Sequence, residues 1–404
     1  AWRLSKEKFI SQMLLFASFC VVSIPYLVYG QSQYPVYKGS GSHYDVGFAI
    51  GSQAKQRIQD YVNNYPPLQQ LRFCLLTACS VQFRELVQYN QQIWPQYFQE
   101  LDGIADGADV DSSNLYLLSF KHEVLALQNQ VSAATKNEIR SELLECSDIL
   151  LNNASFEGFG HNEDGWNGTV DYAYFAHYNI TNGTENEFFA FQYPASLVGH
   201  AFGVNKYGLS VSMNAVFPTN VTVPARGCYF VVRAVMDAHN ISEAIEIIKN
   251  QSADGIVSAY GASINIGYMN ENKQIMIANV EMANNVVSVQ NYGTSDSQDE
   301  AYGYHFNMYL RLNVSQQNET SSVERLDRTT QLIAQNGLNT AKDIVNILGD
   351  TQNTQYPIYR DATPPDDSAT LATAIFDLEN HIMSVYEKCN PKSCAPSFNF
   401  SFHA

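Results

Sequence analysis

Apolar positions recur at helical spacing between residues 43 and 130. Tyr44, Val46, Gly47 and Ile50 begin one mixed helix, and Leu115, Leu117, Leu118, Phe120 and Val124 mark another, with Asp111 or Ser112 as its N-cap. Ahead of them, residues 34–37 read as a short edge strand that tolerates Pro35, followed by a turn over 39–42. Residues 131–144, with Lys136, Glu138, Arg140 and Glu142, are polar and predict an accessible loop. The rhythm then changes. From Cys146 onward, short apolar runs alternate with Gly, Asn and Asp, predicting strands over 188–193, 201–204, 209–213, 263–268, 274–280 and 286–290. Helices are predicted over 229–238, 241–249, 323–335 and 341–348. Strands next to strands and helices next to helices predict two sheets faced by helical layers, not a regular βαβ alternation.

No internal repeat or long linker breaks residues 31–404, which read as one folding unit: a helical segment over 31–145 and a strand-rich segment over 146–404. Residues 1–30 stand apart. Arg3, Lys6 and Lys8 precede an apolar run over 13–29, and small residues near Gly30 offer a cleavage point, so the segment reads as a signal peptide or a retained signal anchor. The remainder of the chain is then expected in a secreted or lysosomal lumen, and a membrane is a partner only if that segment is retained.

Charge and cysteine use sharpen this picture. A formal net charge of -17 excludes nucleic acid and anionic lipid as partners, because both are polyanions. Sequons at Asn153, Asn167, Asn179, Asn182, Asn220, Asn240, Asn250, Asn313, Asn318 and Asn399 agree with a lumenal glycoprotein, and none lies between 31 and 145. Of the seven cysteines, Cys20 lies in the targeting segment. Cys74 with Cys79 and Cys389 with Cys394 are spaced to close small disulfide loops, and neither pair has the His or further Cys of a zinc site. Cys146 and Cys228 remain. Either they pair with each other, or one is inert and the other chemically employed.

The informative segment runs from Cys146 through Gly160-His161-Asn162-Glu163-Asp164. An apolar run, a turn around Glu157 and Gly158 and a second run outline a hairpin that returns Asp164 towards Cys146. With this segment, the chain resembles the acyl-coenzyme A:6-aminopenicillanic acid acyltransferase family, which includes insect β-alanyl amine hydrolases. It is more distantly similar to acid ceramidase and the choloylglycine hydrolases. Gly41, Tyr44, Gly47 and Gly51 resemble the family's early Gly-x-x-Tyr-x-x-Gly-x-x-x-Gly element. Gly203-Val204-Asn205, Gly208-Leu209 and Met213-Asn214 resemble a later stretch, followed in order by Tyr304-His305-Phe306-Asn307, the 321–328 segment, Asp350 and Thr370.

The resemblance implies an α+β fold, the four-layer αββα N-terminal-nucleophile sandwich, and a precursor that cuts itself between Glu145 and Cys146. A cysteine at a new chain end carries both a thiol and its own amine base. It further implies Cys146 as nucleophile, Asn307 as side-chain donor to the oxyanion, Asp164 as a holder of the Cys146 amine or the adjacent loop, and Asn214 as a weaker substrate-positioning candidate. Arg226 reads as either a partner for a substrate carboxylate or a solvated loop arginine. Expected partners are a small N-acyl amide or thioester and, through the fold's assembly uses, a second copy or another protein; no metal or organic cofactor is expected. Three departures stand out. Glu145 replaces the family's small or basic residue, Ser147-Asp148 follows the nucleophile where Cys-Thr is usual, and no late arginine is apparent beside Thr370. A catalytically inactive glycoprotein using this fold for assembly or binding is therefore the rival reading. A papain-like protease is disfavoured, since no Gln…Cys-Trp element occurs.

Overall fold

The computed structural model describes residues 27–76, 79–131, 146–183, 185–252, 254–293, 300–317, 320–364 and 368–402. Residues 1–26 of the segment read as a signal peptide or anchor over 1–30, residues 132–145 and Asn318 lie outside them, whereas residues 27–30 of that segment form a strand. Among the described residues no helix is long and apolar enough to cross a membrane.

Strands β1 (Leu27–Gly30) and β2 (Val36–Gly41) come first. A run of helices comes next: α1 (His43–Gln53), α2 (Lys55–Asn64), α3 (Pro66–Leu75), α4 (Ser80–Ile93), α5 (Pro95–Ala108), α6 (Ser112–Ser119) and α7 (Lys121–Val131). Then come β3 (Cys146–Asn153), β4 (Phe156–Trp166), β5 (Tyr174–Ile180), β6 (Asn186–Gln192), β7 (Phe202–Asn205) and β8 (Leu209–Val216). Helices α8 (Cys228–Val235) and α9 (Ile241–Lys249) precede β9 (Gly261–Met269), β10 (Ile275–Ala283), β11 (Val286–Tyr292) and β12 (Tyr302–His305). The chain continues through α10 (Thr320–Asn336), α11 (Ala341–Leu348), β13 (Ser368–Asp377), β14 (Ile382–Glu387) and β15 (Phe398–Ser401).

The strands form two sheets. The first, ordered β1-β15-β14-β13-β4-β3-β12, is antiparallel throughout. The second is ordered β11-β10-β9-β8-β7-β6-β5-β2, with β2 and β5 its parallel pair. Aromatic rings lock the sheets face to face. Phe189 stacks on Phe400 at 4.1 Å, Phe175 meets Phe398 edge-on at 5.1 Å, and Phe202 meets Phe376. Outside the first sheet, Ile344 and Leu348 of α11 cover Gly160, and α8 and α9 pack on β9 of the second. The αββα architecture expected of the family is therefore present, and residues ahead of Cys146 contribute a strand to each sheet.

Alternation along β3 assigns its side chains. Ile149 and Leu151 join the cluster with Ile344 and Leu348 on the outer face, while Leu150 belongs to the core between the sheets. Cys146 and Asp148 share the inner parity of Leu150. On β4, Phe159, His161 and Glu163 face inward, and Asn162 faces out, its Nδ2 donating to the Leu348 carbonyl at 2.8 Å.

The hairpin turn sits earlier than the sequence pattern predicts. Asn153 closes it by accepting the amides of Ser155 and Phe156, so Glu157 and Gly158 lie within β4. Gly158 is small because a Cβ there would stand 1.9 Å from the Phe376 carbonyl oxygen of β13, and not because the chain turns. Residues 39–41 likewise extend β2, whose parallel pairing with β5 runs to Gly41 opposite Ile180. Asp111 is the N-cap of α6, accepting the Ser113 amide at 2.8 Å, but the helix read through Val124 breaks at Phe120.

The early glycine element has a packing cause. Helices α1 and α5 cross so closely that a Cβ on Gly47 or Gly51 would lie 2.2 or 2.3 Å from the carbonyl oxygens of Glu100 and Ile104. Gly103 and Gly107 return the relation, at 2.3 Å from the carbonyls of Tyr44 and Phe48. Glu100, buried beside this crossing, receives Arg233 of α8 at 3.0 Å and contacts His43 of α1 at 3.1 Å. Burial acts to raise the Glu100 carboxyl, but Arg233 and His43 together hold it below the usual carboxylate range.

Candidate active site around Cys146

Cys146 is the first residue of β3, buried between the sheets. Its backbone is held from both ends. The Cys146 amide donates to Asn307 Oδ1 at 2.9 Å, and its carbonyl accepts Arg325 Nη1 at 2.7 Å. Arg325 also reaches Ser147 Oγ at 2.9 Å and, through Nη2, Asn307 Oδ1 at 2.8 Å. Since both groups facing that Asn307 atom are donors, the atom is the amide oxygen. The Nδ2 group donates to the Ala215 carbonyl at 3.0 Å. Asn307 therefore presents its carbonyl to the Cys146 nitrogen and is not oriented as the oxyanion donor the resemblance implies.

Strand register places the thiol in a block of four polar side chains. Cys146 pairs directly with Glu163 and Asp148 with His161. All four side chains share the inner face. Cys146 Sγ lies 4.0 Å from Glu163 Oε2, which is 2.9 Å from His161 Nε2. His161 Nδ1 is 3.0 Å from both oxygens of Asp148, and Ser212 Oγ of β8 donates to Asp148 at 2.6 Å. Tyr193 donates to the second oxygen of Glu163, Oε1, at 2.6 Å. Burial pushes the thiol up to about 12, and the Glu163 charge adds to that, while His161 opposes both. Burial disfavours a charged His161, but Asp148 together with the contacts to Cys146 and Glu163 raises the imidazole well above its ordinary value. Burial likewise raises Glu163 against its bonds to His161 and Tyr193. Cys146, His161 and Glu163 also bring a sulfur, a ring nitrogen and a carboxylate oxygen within 4.8 Å of one another, a spacing a metal ion could use.

Asp164, one residue beyond Glu163, alternates to the outer face. It accepts Thr370 Oγ1 at 2.6 Å, and its Oδ2 lies 3.6 Å from Arg360 Nε. Arg360 thus stands ten residues ahead of Thr370, in the loop between α11 and β13, where no periodicity marked it. Asn214 lies on β8 two residues beyond Ser212, so it looks towards β3. Its Oδ1 accepts Asn265 at 3.3 Å, and its Nδ2 is buried without a hydrogen-bond partner among the described residues. Arg226 corrects its candidate role. Nε donates to the Val257 carbonyl, and Nη1 and Nη2 donate to those of Ile247 and Ile248 at the end of α9, so the guanidinium is committed to a buried backbone clamp. Cys228 is a buried unpaired thiol, as is Cys146. The two are not bonded to each other. Cys389 and Cys394 form a disulfide, and Cys79 is disulfide-bonded; the side chain of Cys74 lies outside those described.

Glu281 of β10 anchors the loop that follows Asn307. Its carboxylate accepts the amides of Leu310, Arg311 and Leu312 at 2.7, 3.1 and 2.9 Å and lies 3.0 Å from His305 Nε2. Burial acts to raise this carboxyl, but the His305 bond, Arg311 and the amides together bring it down to about 2. A carboxyl lower in the folded state contributes stability that is complete above its unfolded value near 4.5 and is lost as pH falls towards about 2. Chemical denaturation between pH 5 and 2 is expected to show this loss, and Glu281→Gln should flatten it while lowering stability at pH 7. An unchanged acid limb in that variant would assign the loss to other carboxylates.

Comparison with known proteins adds relatives. Residues 152–391 match the family described as acyl-coenzyme A:6-aminopenicillanic acid acyl-transferase. A Drosophila melanogaster protein named beta-alanyl-dopamine/carcinine hydrolase is 27% identical over 384 residues, covering 90% of this chain and 94% of its own length. A solved mutant of the conjugated bile acid hydrolase from Clostridium perfringens is 14% identical with a TM-score of 0.35, covering 60% of this chain and 89% of that one. With the matched span exceeding half of its length, the chain belongs to the acyl-coenzyme A:6-aminopenicillanic acid acyl-transferase family.

Proposed function

We propose that this protein is a lumenal precursor that opens its own backbone between Glu145 and Cys146 and then uses the Cys146 thiol to hydrolyse the amide bond of a small N-acyl amine. The observation carrying this reading is the grip on the Cys146 backbone: Asn307 Oδ1 takes the nitrogen and Arg325 the carbonyl, so the residue is fixed through atoms that survive cleavage. Once the bond opens, the nitrogen becomes an amine that Asn307 can still hold, next to the sulfur whose proton it can accept. The thiolate attacks the substrate carbonyl, the amine product leaves with a proton, and water releases the acyl group from sulfur. Asn214 Nδ2, buried and unspent on the face towards β3, is the donor assigned to the substrate carbonyl oxygen. Water is favoured as acceptor because a lumen is expected to lack acyl-coenzyme A. The fly relative's name makes an N-β-alanyl amine the first substrate to try. The sequons fit a lumenal placement. Asn167, Asn182, Asn220, Asn250 and Asn313 are exposed, and Asn153, Asn179, Asn240 and Asn399 are half-buried.

Intact mass and N-terminal sequencing of protein purified from a secretory host test the reading. Two fragments are expected, one beginning at Cys146 and reactive with iodoacetamide. A single uncut chain with an inert Cys146 under every lumenal pH would instead leave the non-catalytic glycoprotein.

A further inference from the structure

Opening the backbone poses a problem that the finished enzyme does not have. Before cleavage the Cys146 nitrogen is an amide. It cannot take the thiol proton, and its lone pair is engaged with the Glu145 carbonyl. Another group must accept that proton as sulfur attacks and return one to nitrogen as the C–N bond breaks. Resting on the self-processing reading above, we propose that Glu163 is this proton carrier, positioned by His161, Asp148 and Tyr193.

The cross-strand register places Glu163 directly opposite Cys146, and its Oε2 is 4.0 Å from Sγ. The carboxylate is gripped on both oxygens, Oε1 by Tyr193 at 2.6 Å and Oε2 by His161 at 2.9 Å. Asp148 fixes the far nitrogen of His161, and Ser212 fixes Asp148. The chain of contacts runs from β3 to β4, back to β3, and across to β8 in the second sheet, so it is built from rigid strands. With His161 charged between two carboxylates, the thiolate formed by proton transfer to Glu163 lies beside an imidazolium, and the cluster's net charge is unchanged.

Atoms and protons balance across the step. The S–H proton passes to Glu163 while sulfur bonds to the carbonyl carbon of residue 145, giving a tetrahedral oxyanion. That intermediate collapses with loss of the C–N bond, and the Glu163 proton ends on the Cys146 nitrogen. The products are a thioester between residue 145 and Sγ, a free Cys146 amine, and Glu163 as carboxylate again. Water then hydrolyses the thioester, restoring the thiol and leaving a carboxylate at 145. After this, the amine sits on the same residue as the thiol, and turnover no longer depends on Glu163 to the same degree.

The test is a split between two rates in the full-length protein. Wild type, Glu163→Gln, Glu163→Asp and Tyr193→Phe are followed by intact mass for opening at 145–146, and the processed fraction of each is assayed for turnover per free Cys146. Glu163→Gln should slow opening by about 100-fold or more, the range of general acid–base catalysis, with turnover per processed molecule falling less than 10-fold. Glu163→Asp should recover part of the opening rate, and Tyr193→Phe, which leaves the carboxylate in place, should slow it more modestly. Should Glu163→Gln fail to fold, Tyr193→Phe and Glu163→Asp still decide, since wild-type opening rates in both overturn the assignment. Opening of Glu163→Gln at the wild-type rate also overturns it, as does equal loss of opening and turnover. If wild type itself never opens, the self-processing reading falls and the carrier with it, an outcome distinct from the others.

Discussion

Cys146→Ala is expected to leave a folded, single, uncut chain whose amide hydrolysis is lower by about 10^4-fold or more, the scale on which removing a covalent nucleophile acts. The variant should fold because the contacts that fix this residue go to its backbone. Asn307 takes the nitrogen and Arg325 the carbonyl, and alanine supplies both atoms unchanged. Glu163 keeps His161 and Tyr193, so no buried carboxylate is orphaned by losing the sulfur. The lost packing of one small buried group costs only about 1 kcal/mol. A circular dichroism spectrum and melting profile close to wild type should therefore accompany the missing activity. Cys146→Ser keeps a weaker nucleophile and should impair opening and turnover together. Normal cutting and full turnover in the alanine variant would remove Cys146 from the chemistry.

Gly51→Ala carries the second large effect, and its sign is informative. Alanine in the middle of a helix is normally better than glycine by about 1 kcal/mol. At this position the new methyl would stand 2.3 Å from the Ile104 carbonyl oxygen, and backbone cannot swing aside as a side-chain tip can. Helix α1 must move off α5, at a cost of about 1–3 kcal/mol for overpacking. The shift also strains the buried contacts from Glu100 to His43 and Arg233. Net destabilisation of about 1–2 kcal/mol is expected, read as a lower denaturation midpoint with unchanged m-value. Gly47→Ala should behave alike. A neutral or stabilised Gly51→Ala would mean that the crossing is looser than the glycines make it.

These glycines show what was legible in the chain and what was not. Gly47 and Gly51 could be marked as an element, but their purpose depends on Gly103 and Gly107, half a hundred residues away, and only packing joins the two pairs. Helix α9 and helix α11 were readable to the residue, because apolar spacing and the Asn240 and Thr340 caps agree locally. The hairpin carrying the site was readable as a hairpin but not in register. Gly158 looked like turn, whereas the Asn153 side chain at the end of β3 closes the turn on the Ser155 amide, and crowding by Phe376 explains the glycine. That small slip mattered, since Glu163 and not Asp164 stands opposite Cys146, and adjacent strand residues face opposite sides. Cys146 could be singled out as a leftover cysteine. His161, Glu163 and Asp148 join it only once the register is known, because that register pairs Cys146 with Glu163 and Asp148 with His161. Arg325 and Arg360 come from a helix and a loop whose distance from the thiol no local pattern encodes.

The interleaving of the two segments has a kinetic corollary. Val36–Gly41 lies along β5 of the second sheet, and the Gln33 and Tyr34 amides donate to Glu387 of β14 in the first, so a chain severed ahead of Cys146 would stay one particle held on both sides of the sandwich. Its two pieces would part only in denaturant. Recovery from that state would then be a second-order encounter that slows on dilution, whereas the uncut chain would regain its structure at a rate indifferent to concentration. Such a protein keeps its shape after the cut but gives up the ability to rebuild it alone.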